Sequence, residues 1–313
     1  MGAPATASPE GPVLRLGVVS DLHLVAGSAA PTVWNNPVWR GEAAGLLAEA
    51  LAWLAPRADA VALLGDLADA PDQAAYARLA DLLAAVDLPI YAVLGNHDLP
   101  RDFGPAAAAD LAAAGVRLLD FGGPARVGPF TVLSTPLRRV GSSFAQDVPT
   151  CWAVPEDDAV RPPAGSAPLI WAGHLPAISL RSKVEACRWL YAGDLVNRLA
   201  VLEALRAYPG PVLALGGHLH VRAHAIDDNV LQLVSGALAE APREAAVVTL
   251  APSGPGGWTV TRRCRSFAHG HERELGAALD RQQTTFVWRR GRWDEHRPAP
   301  AAPAGPKPNL DPR

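Results

Sequence analysis

Five short polar clusters stand at the ends of apolar runs. They are Ser20-Asp21-Leu22-His23, Gly65-Asp66-Leu67-Ala68-Asp69, Gly95-Asn96-His97-Asp98, Gly173-His174 and Gly216-Gly217-His218-Leu219-His220. His97 and the cluster-final Asp69 and Asp98 apart, they supply two carboxylates (Asp21 and Asp66), one amide (Asn96) and four imidazoles (His23, His174, His218 and His220). Oxygen and imidazole donors without thiolates suit divalent ions of the manganese, iron and zinc range and do not suit a structural zinc site. Two ions held side by side need a bridging anion, and Asp66 is the natural bridge. Such a pair polarises a phosphoryl oxygen, makes hydroxide from water near neutral pH and stabilises both ends of an in-line displacement. The glycines before these residues allow tight turns and close backbone approach.

These clusters meet only if the elements before them end on one edge. Val13–Ser20, Ala60–Leu64 and Pro89–Leu94 are apolar runs of strand length, and Glu42–Leu54, Gln73–Val86 and Ala106–Ala114 carry apolar residues at helical spacing. This alternation predicts α/β layering, with the carboxyl ends of the strands gathered where ligands bind. The second half is richer in strands: Val116–Phe121, Phe130–Ser134, Leu169–Ala172, Val212–Leu215, Ala223–Ile226, Val230–Val234, Ala245–Leu250 and Thr259–Arg265, with a helix at Leu195–Ala207. Two sheets packed face to face with helices outside are expected. Glu272–Gln283 reads as a late helix and Thr285–Trp293 as a hairpin.

Taken together and in order, the clusters resemble the calcineurin-like metallophosphoesterases: D-x-H, G-D-x-x-D, G-N-H-[DE], a lone His and G-H-x-H, running from Asp21 to His220. The resemblance implies a four-layer α/β/β/α sandwich with two mixed sheets. It implies a first metal on Asp21, His23 and His220, Asp66 as the bridge, and a second metal on Asn96, His174 and His218. His97 would serve as proton donor to the leaving group, or hold the phosphoryl group by charge. Asp69 matches the carboxylate that orients that histidine, although Ala70-Pro71 follows it in place of the Arg-Gly of the protein-phosphatase branch. Asp69 read in isolation is equally a cap for the helix that starts near Pro71.

The compact spacing and Gly95-Asn96-His97-Asp98 look most like the class III cyclic-nucleotide phosphodiesterase branch. That implies hydrolysis of a small phosphodiester, such as a cyclic nucleotide, by metal-activated hydroxide attacking phosphorus. A phosphomonoesterase or nucleotide pyrophosphatase of the same family is the alternative. The 41 residues between His23 and Gly65 include Trp34-Asn35-Asn36-Pro37-Val38-Trp39-Arg40. There Trp34 or Trp39 would stack a base and Arg40 would meet a phosphate, or both tryptophans close the loop onto the core. Arg138 and Arg139 are further candidates of that kind.

The 313 residues hold 28 Lys and Arg against 31 Asp and Glu, a net charge of −3. That balance argues against bulk-charge binding of nucleic acid and against a nuclease. A scaffold that has lost its metals would show broken ligands, and none is broken here. No apolar run is long enough to span a bilayer and no secretory pattern opens the chain. Three widely spaced cysteines fit a reducing, cytoplasmic setting. His224 reads as structural or exposed, and His269 and His271 as part of a solvated linker. The expected organisation is a lead-in over 1–12, one metallophosphoesterase domain over 13–268, a helix-and-hairpin extension over 269–297 and a disordered Pro/Ala-rich tail over 298–313.

Overall fold

Leu14, Leu16 and Val18 alternate with Gly17 and Val19, as a strand buried on both faces requires. In the computed structural model this run is β1, Leu14–Val19. The structure describes residues 11–70, 72–99, 104–140, 152–155, 160–267 and 278–296. After β1 come a small ribbon, β2 Thr32–Val33 and β3 Pro37–Val38, then α1 Ala43–Leu54, β4 Ala60–Leu64, α2 Gln73–Ala84, β5 Ile90–Val93 and α3 Pro105–Ala113. β6 Val116–Leu118 runs into the single turn α4 Leu119–Gly122. It is followed by β7 Ala125–Val127, β8 Phe130–Leu133 and a second ribbon, β9 Arg138–Arg139 and β10 Trp152–Ala153. β11 Leu169–Ala172, α5 Arg181–Ala186, α6 Arg198–Arg206, β12 Val212–Gly216, β13 Ala223–Asp227 and β14 Val230–Val234 come next. The chain closes with β15 Glu244–Pro252, β16 Trp258–Ser266, β17 Gln283–Arg289 and β18 Arg292–Glu295.

Two mixed sheets result. The eight-stranded sheet has the order β18-β17-β16-β15-β1-β4-β5-β6 and the six-stranded sheet β13-β14-β12-β11-β8-β7. Leu14, Leu16, Val18, Ala62 and Leu64 of the first meet Ile170, Ala172, Leu213 and Leu215 of the second in a shared core. On the outer face of the first sheet, Val19, Val61 and Leu63 pack with Leu47, Leu51, Leu79 and Leu83 of α1 and α2. On the outer face of the second, Leu169, Trp171 and Val212 pack with Leu202 and Leu205 of α6. The layers are therefore α/β/β/α, as expected from the alternation of apolar residues on each strand and the single apolar stripe on each helix.

Three expectations are corrected. Val116–Phe121 leaves the sheet after Leu118, because the α4 turn brings the Asp120 carboxylate to accept from the Leu94 N–H at 2.6 Å and the Ser134 hydroxyl at 2.7 Å. Burial then pushes Asp120 up to about 6. The helix expected from Leu195 starts at Arg198, since the Asn197 side chain is held by both the N–H and the C=O of Val154. The helix expected over Glu272–Gln283 is not formed in its described part. Ala278 bridges to Arg222, and the Asp280 carboxylate receives Arg262 and His224. Residues 271–277, like His269, the 1–10 lead-in and the 298–313 tail, lie outside the described residues. The hairpin is present as β17 and β18. It extends the edge of the larger sheet, with Phe286, Trp288 and Trp293 in the shared core. No helix among the described residues is long and apolar enough to cross a membrane.

Candidate metal centre

β1, β4 and β5 are parallel neighbours in one sheet and β11 and β12 in the other. Asp21 and His23 follow β1, Asp66 and Asp69 follow β4, Asn96 and His97 follow β5, His174 follows β11, and His218 and His220 follow β12. The parallel strand directions bring all of them to one edge. Asp21, His23, Asp66, His174, His218 and His220 are buried there, a costly place for so many polar groups unless they are paired or coordinate a metal. The backbone is strained at the same place. Five of the nine described non-glycine residues with positive φ are Asp21, His23, Asp66, His218 and His220. Each such residue costs roughly 1–3 kcal/mol and persists only where the surroundings fix it. Gly95 has to be glycine: a Cβ there would stand 2.1 Å from Asp66 Oδ1.

The donor atoms converge in two groups that share Asp66, namely Asp21, His23, Asp66 and His220, and Asp66, His174 and His218. Hydrogen bonds at the far side of each ring set which nitrogen is free. His174 Nδ1 donates to the Leu64 carbonyl at 2.7 Å, since a carbonyl only accepts. Its Nε2 then faces only acceptor oxygens, Asn96 Oδ1 at 3.1 Å and Asp66 Oδ2 at 3.3 Å. His220 Nδ1 donates to Glu240 Oε2 at 2.5 Å, and its Nε2 faces Asp21 Oδ1 at 3.4 Å and His23 Nε2 at 3.2 Å. His218 Nε2 is buried without a hydrogen-bond partner. Lone pairs converging on one another without a donor between them fit a cation. The donor set suits a dinuclear divalent-metal site.

In the metal-free protein, protons take that role. Burial lowers the His174 imidazole, but the charge and hydrogen bond of Asp66 outweigh it and the group is pushed up to about 9. His220 is pushed up to about 10: burial opposes, and Asp21 and Glu240 prevail. His218 is held down to about 3 by burial and then by the His174 charge. Loading two ions at pH 7 should therefore release about two protons, one each from His174 and His220, and metal affinity should rise with pH up to about 10 as that competition fades. Calorimetric metal titrations in buffers of different ionisation heat measure this; zero net release would contradict it.

His97 stands at the rim. Its backbone N–H donates to Asp66 Oδ1 at 2.8 Å, and its ring Nδ1 donates to the Asp69 carbonyl at 2.8 Å. The Asp69 carboxylate is turned elsewhere, with Oδ1 3.3 Å from His23 Nδ1 and Oδ2 2.6 Å from Arg40 Nη1. Burial raises the Asp69 carboxyl, but His23 and Arg40 hold it down to about 2. Asp69 thus reaches His97 through its backbone oxygen rather than its side chain. It does not cap α2, whose N-cap is Asp72, accepting from the Ala74 N–H at 3.0 Å. Arg40, expected near a phosphate, has its second terminal nitrogen on the Ala30 carbonyl at 2.8 Å. Trp34 is exposed, while Trp39 lies under the buried Arg243 guanidinium, 5.7 Å from ring centre to Cζ. His224 pairs with Asp280 away from this edge.

Two residues at the site carried no role in the sequence. Asp98, the last letter of its cluster, accepts from the N–H groups of Leu67, Ala68 and Gly95 and from the Tyr76 hydroxyl. It fastens the Asp66 turn to the Asn96 turn. Glu240 lies 20 positions after His220, outside every cluster, and no pattern in the sequence marks it.

A family model described as calcineurin-like phosphoesterase matches residues 14–222. No curated protein matches the sequence. Among solved structures, a dimetal phosphatase from Danio rerio is similar, with 15% identity and a TM-score of 0.58 over 83% of this chain and 98% of that one. A phosphopantetheinyl hydrolase from Mycobacterium tuberculosis matches with 19% identity and a TM-score of 0.41, over 71% of this chain and 89% of that one. At 15% identity the likeness to the Danio rerio protein is one of fold.

Proposed function

The chain belongs to the calcineurin-like phosphoesterases, and from that membership we propose that this metal-dependent phosphoric ester hydrolase cleaves a small phosphodiester, with cyclic nucleotides the first candidates. Asp21, His23 and His220 would hold one ion and Asn96, His174 and His218 the other, with Asp66 between them. When bound, the two ions withdraw charge from the phosphoryl oxygens and supply hydroxide near neutral pH. The chain's own residues orient and protonate. The Asp69 carbonyl requires a proton on His97 Nδ1, so Nε2 carries one only as imidazolium, the form that can donate to a leaving oxygen. The Leu64 carbonyl and Glu240 hold His174 and His220 in the tautomers that leave Nε2 free.

The observation that carries the preference for a diester is the engagement of Arg40. A phosphomonoester brings one more negative charge than a diester. Arg40, the cation of the loop that follows the first cluster, is bound to Asp69 and Ala30 and not held out for that charge. Trp34, exposed on the same loop, offers an aromatic face to a base or other flat leaving group. Free thiols at exposed Cys187 and buried Cys264 support placement in a reducing cytoplasm.

A Mn²⁺-supplemented panel tests this, comparing cyclic nucleotides, p-nitrophenyl diesters, p-nitrophenyl phosphate and nucleotide-diphosphate compounds. The expected result is a higher kcat/KM on diesters. Preference for the monoester or the pyrophosphate would move the protein to those classes, and no turnover anywhere would count against hydrolysis itself.

A further inference from the structure

Four hydrogen bonds are among the contacts that fasten the loop over residues 34–40 to the rest of the molecule. Asn36 N–H donates to Glu240 Oε1 at 2.6 Å, and Trp39 N–H donates to the Ala239 carbonyl at 2.7 Å. The Asn35 side-chain oxygen accepts from the Leu190 N–H at 2.8 Å, and Arg40 Nη1 donates to Asp69 Oδ2 at 2.6 Å. Two of these fastenings end on carboxylates that stand behind metal-ligand candidates. Glu240, fully buried, gives one oxygen to Asn36 and the other to His220 Nδ1 at 2.5 Å. Asp69 gives one oxygen to Arg40 and sets the other 3.3 Å from His23 Nδ1.

His220 and His23 are the two imidazoles of the same metal position. The other position is built differently. His174 is backed by the Leu64 carbonyl, a backbone oxygen, rather than by a carboxylate. We infer that Glu240 and Asp69 are positioning residues for the first metal alone, and that the 34–40 loop, through Asn36 and Arg40, holds both of them in place. An imidazole whose far N–H meets a carboxylate is a stronger and better-aimed ligand, and loss of such a partner typically costs about 10–100-fold in metal affinity. The loop that presents Trp34 to solvent is thereby tied to the ion at the Asp21 end of the centre. Linkage is reciprocal: whatever substrate group settles on Trp34 and stiffens the loop tightens that ion, and loading that ion stiffens the loop.

This coupling rests on the dinuclear assignment above, and the two are separable by titrating the metal-free, full-length protein with Mn²⁺ alone. Wild type is expected to take up two ions. Glu240→Gln should weaken one binding step by about 10–100-fold and leave the other within about twofold. Arg40→Gln, at a half-buried position, should weaken the same step in the same direction, and it serves alone if Glu240→Gln fails to fold by thermal melting. Trp34 and Trp39 fluorescence should change on filling the first step in wild type. Equal weakening of both steps, or no change in either variant, overturns the coupling while leaving a dinuclear site intact. Uptake of fewer than two ions by wild type overturns the dinuclear assignment instead.

Discussion

His97→Gln should lower kcat by about 10²–10⁴-fold on diesters with a poor leaving group, with both metal positions still filled. The separation of the two effects follows from where the residue stands. His97 touches Asp66 through its backbone N–H, which glutamine keeps. Its ring is oriented from the Asp69 carbonyl and gathers with His23 and Asp69, outside both groups that share Asp66. Glutamine can hydrogen-bond to a phosphoryl oxygen but cannot deliver a proton to the departing one. The loss should therefore shrink with p-nitrophenolate, which leaves without protonation, and grow with alkoxide leaving groups. Steady-state kinetics on a leaving-group series, with metal content measured on the same samples, check this. Unchanged turnover would remove His97 from the chemistry. An equal loss for every leaving group would favour its holding the phosphoryl group by charge.

Asp66→Asn should abolish turnover and empty both metal positions, a larger effect on affinity than the roughly 10–100-fold of an outer partner. Asp66 Oδ2 is 3.3 Å from His174 Nε2 and 3.8 Å from His23 Nε2, so one oxygen looks into both groups. Burial raises this carboxyl, yet the charge and hydrogen bond of His174 outweigh it and hold it well below the usual carboxylate range. An amide removes the charge and can present an N–H to the cations. The backbone should tolerate the change, because Asp66 has φ 49° and asparagine is among the few residues at ease in that region. The variant is therefore expected to fold, and metal analysis next to a thermal melt separates lost binding from lost structure. Full metal retention would end the assignment of Asp66 as the bridge.

Much of the fold was legible because its signals are local. A strand buried on both faces reads as a short apolar run, and Ala60–Leu64 and Leu169–Ala172 are buried at every position. A helix on one face of a sheet reads as a stripe, as in α1 and α2. Where a distant partner competes for the backbone, the local pattern misleads. Val116–Phe121 has the composition of a strand, but Asp120 is drawn to Leu94 and Ser134. The described end of Glu272–Gln283 has helical spacing, but Asp280 is claimed by Arg262 and His224.

By itself, the sequence determined the donor set and its order: which side chains meet, at the ends of which strands, with glycine where Asp66 needs room. Only the tertiary structure decided which nitrogen of each imidazole is free and what stands behind it. A histidine's tautomer is set by the partner of its other nitrogen. Those partners are the Leu64 carbonyl for His174, 110 positions away, the Asp69 carbonyl for His97, and Glu240 for His220. Two are backbone oxygens that every residue has, and the third belongs to no motif. Their role comes from the packing of two sheets face to face, which side-chain type does not encode.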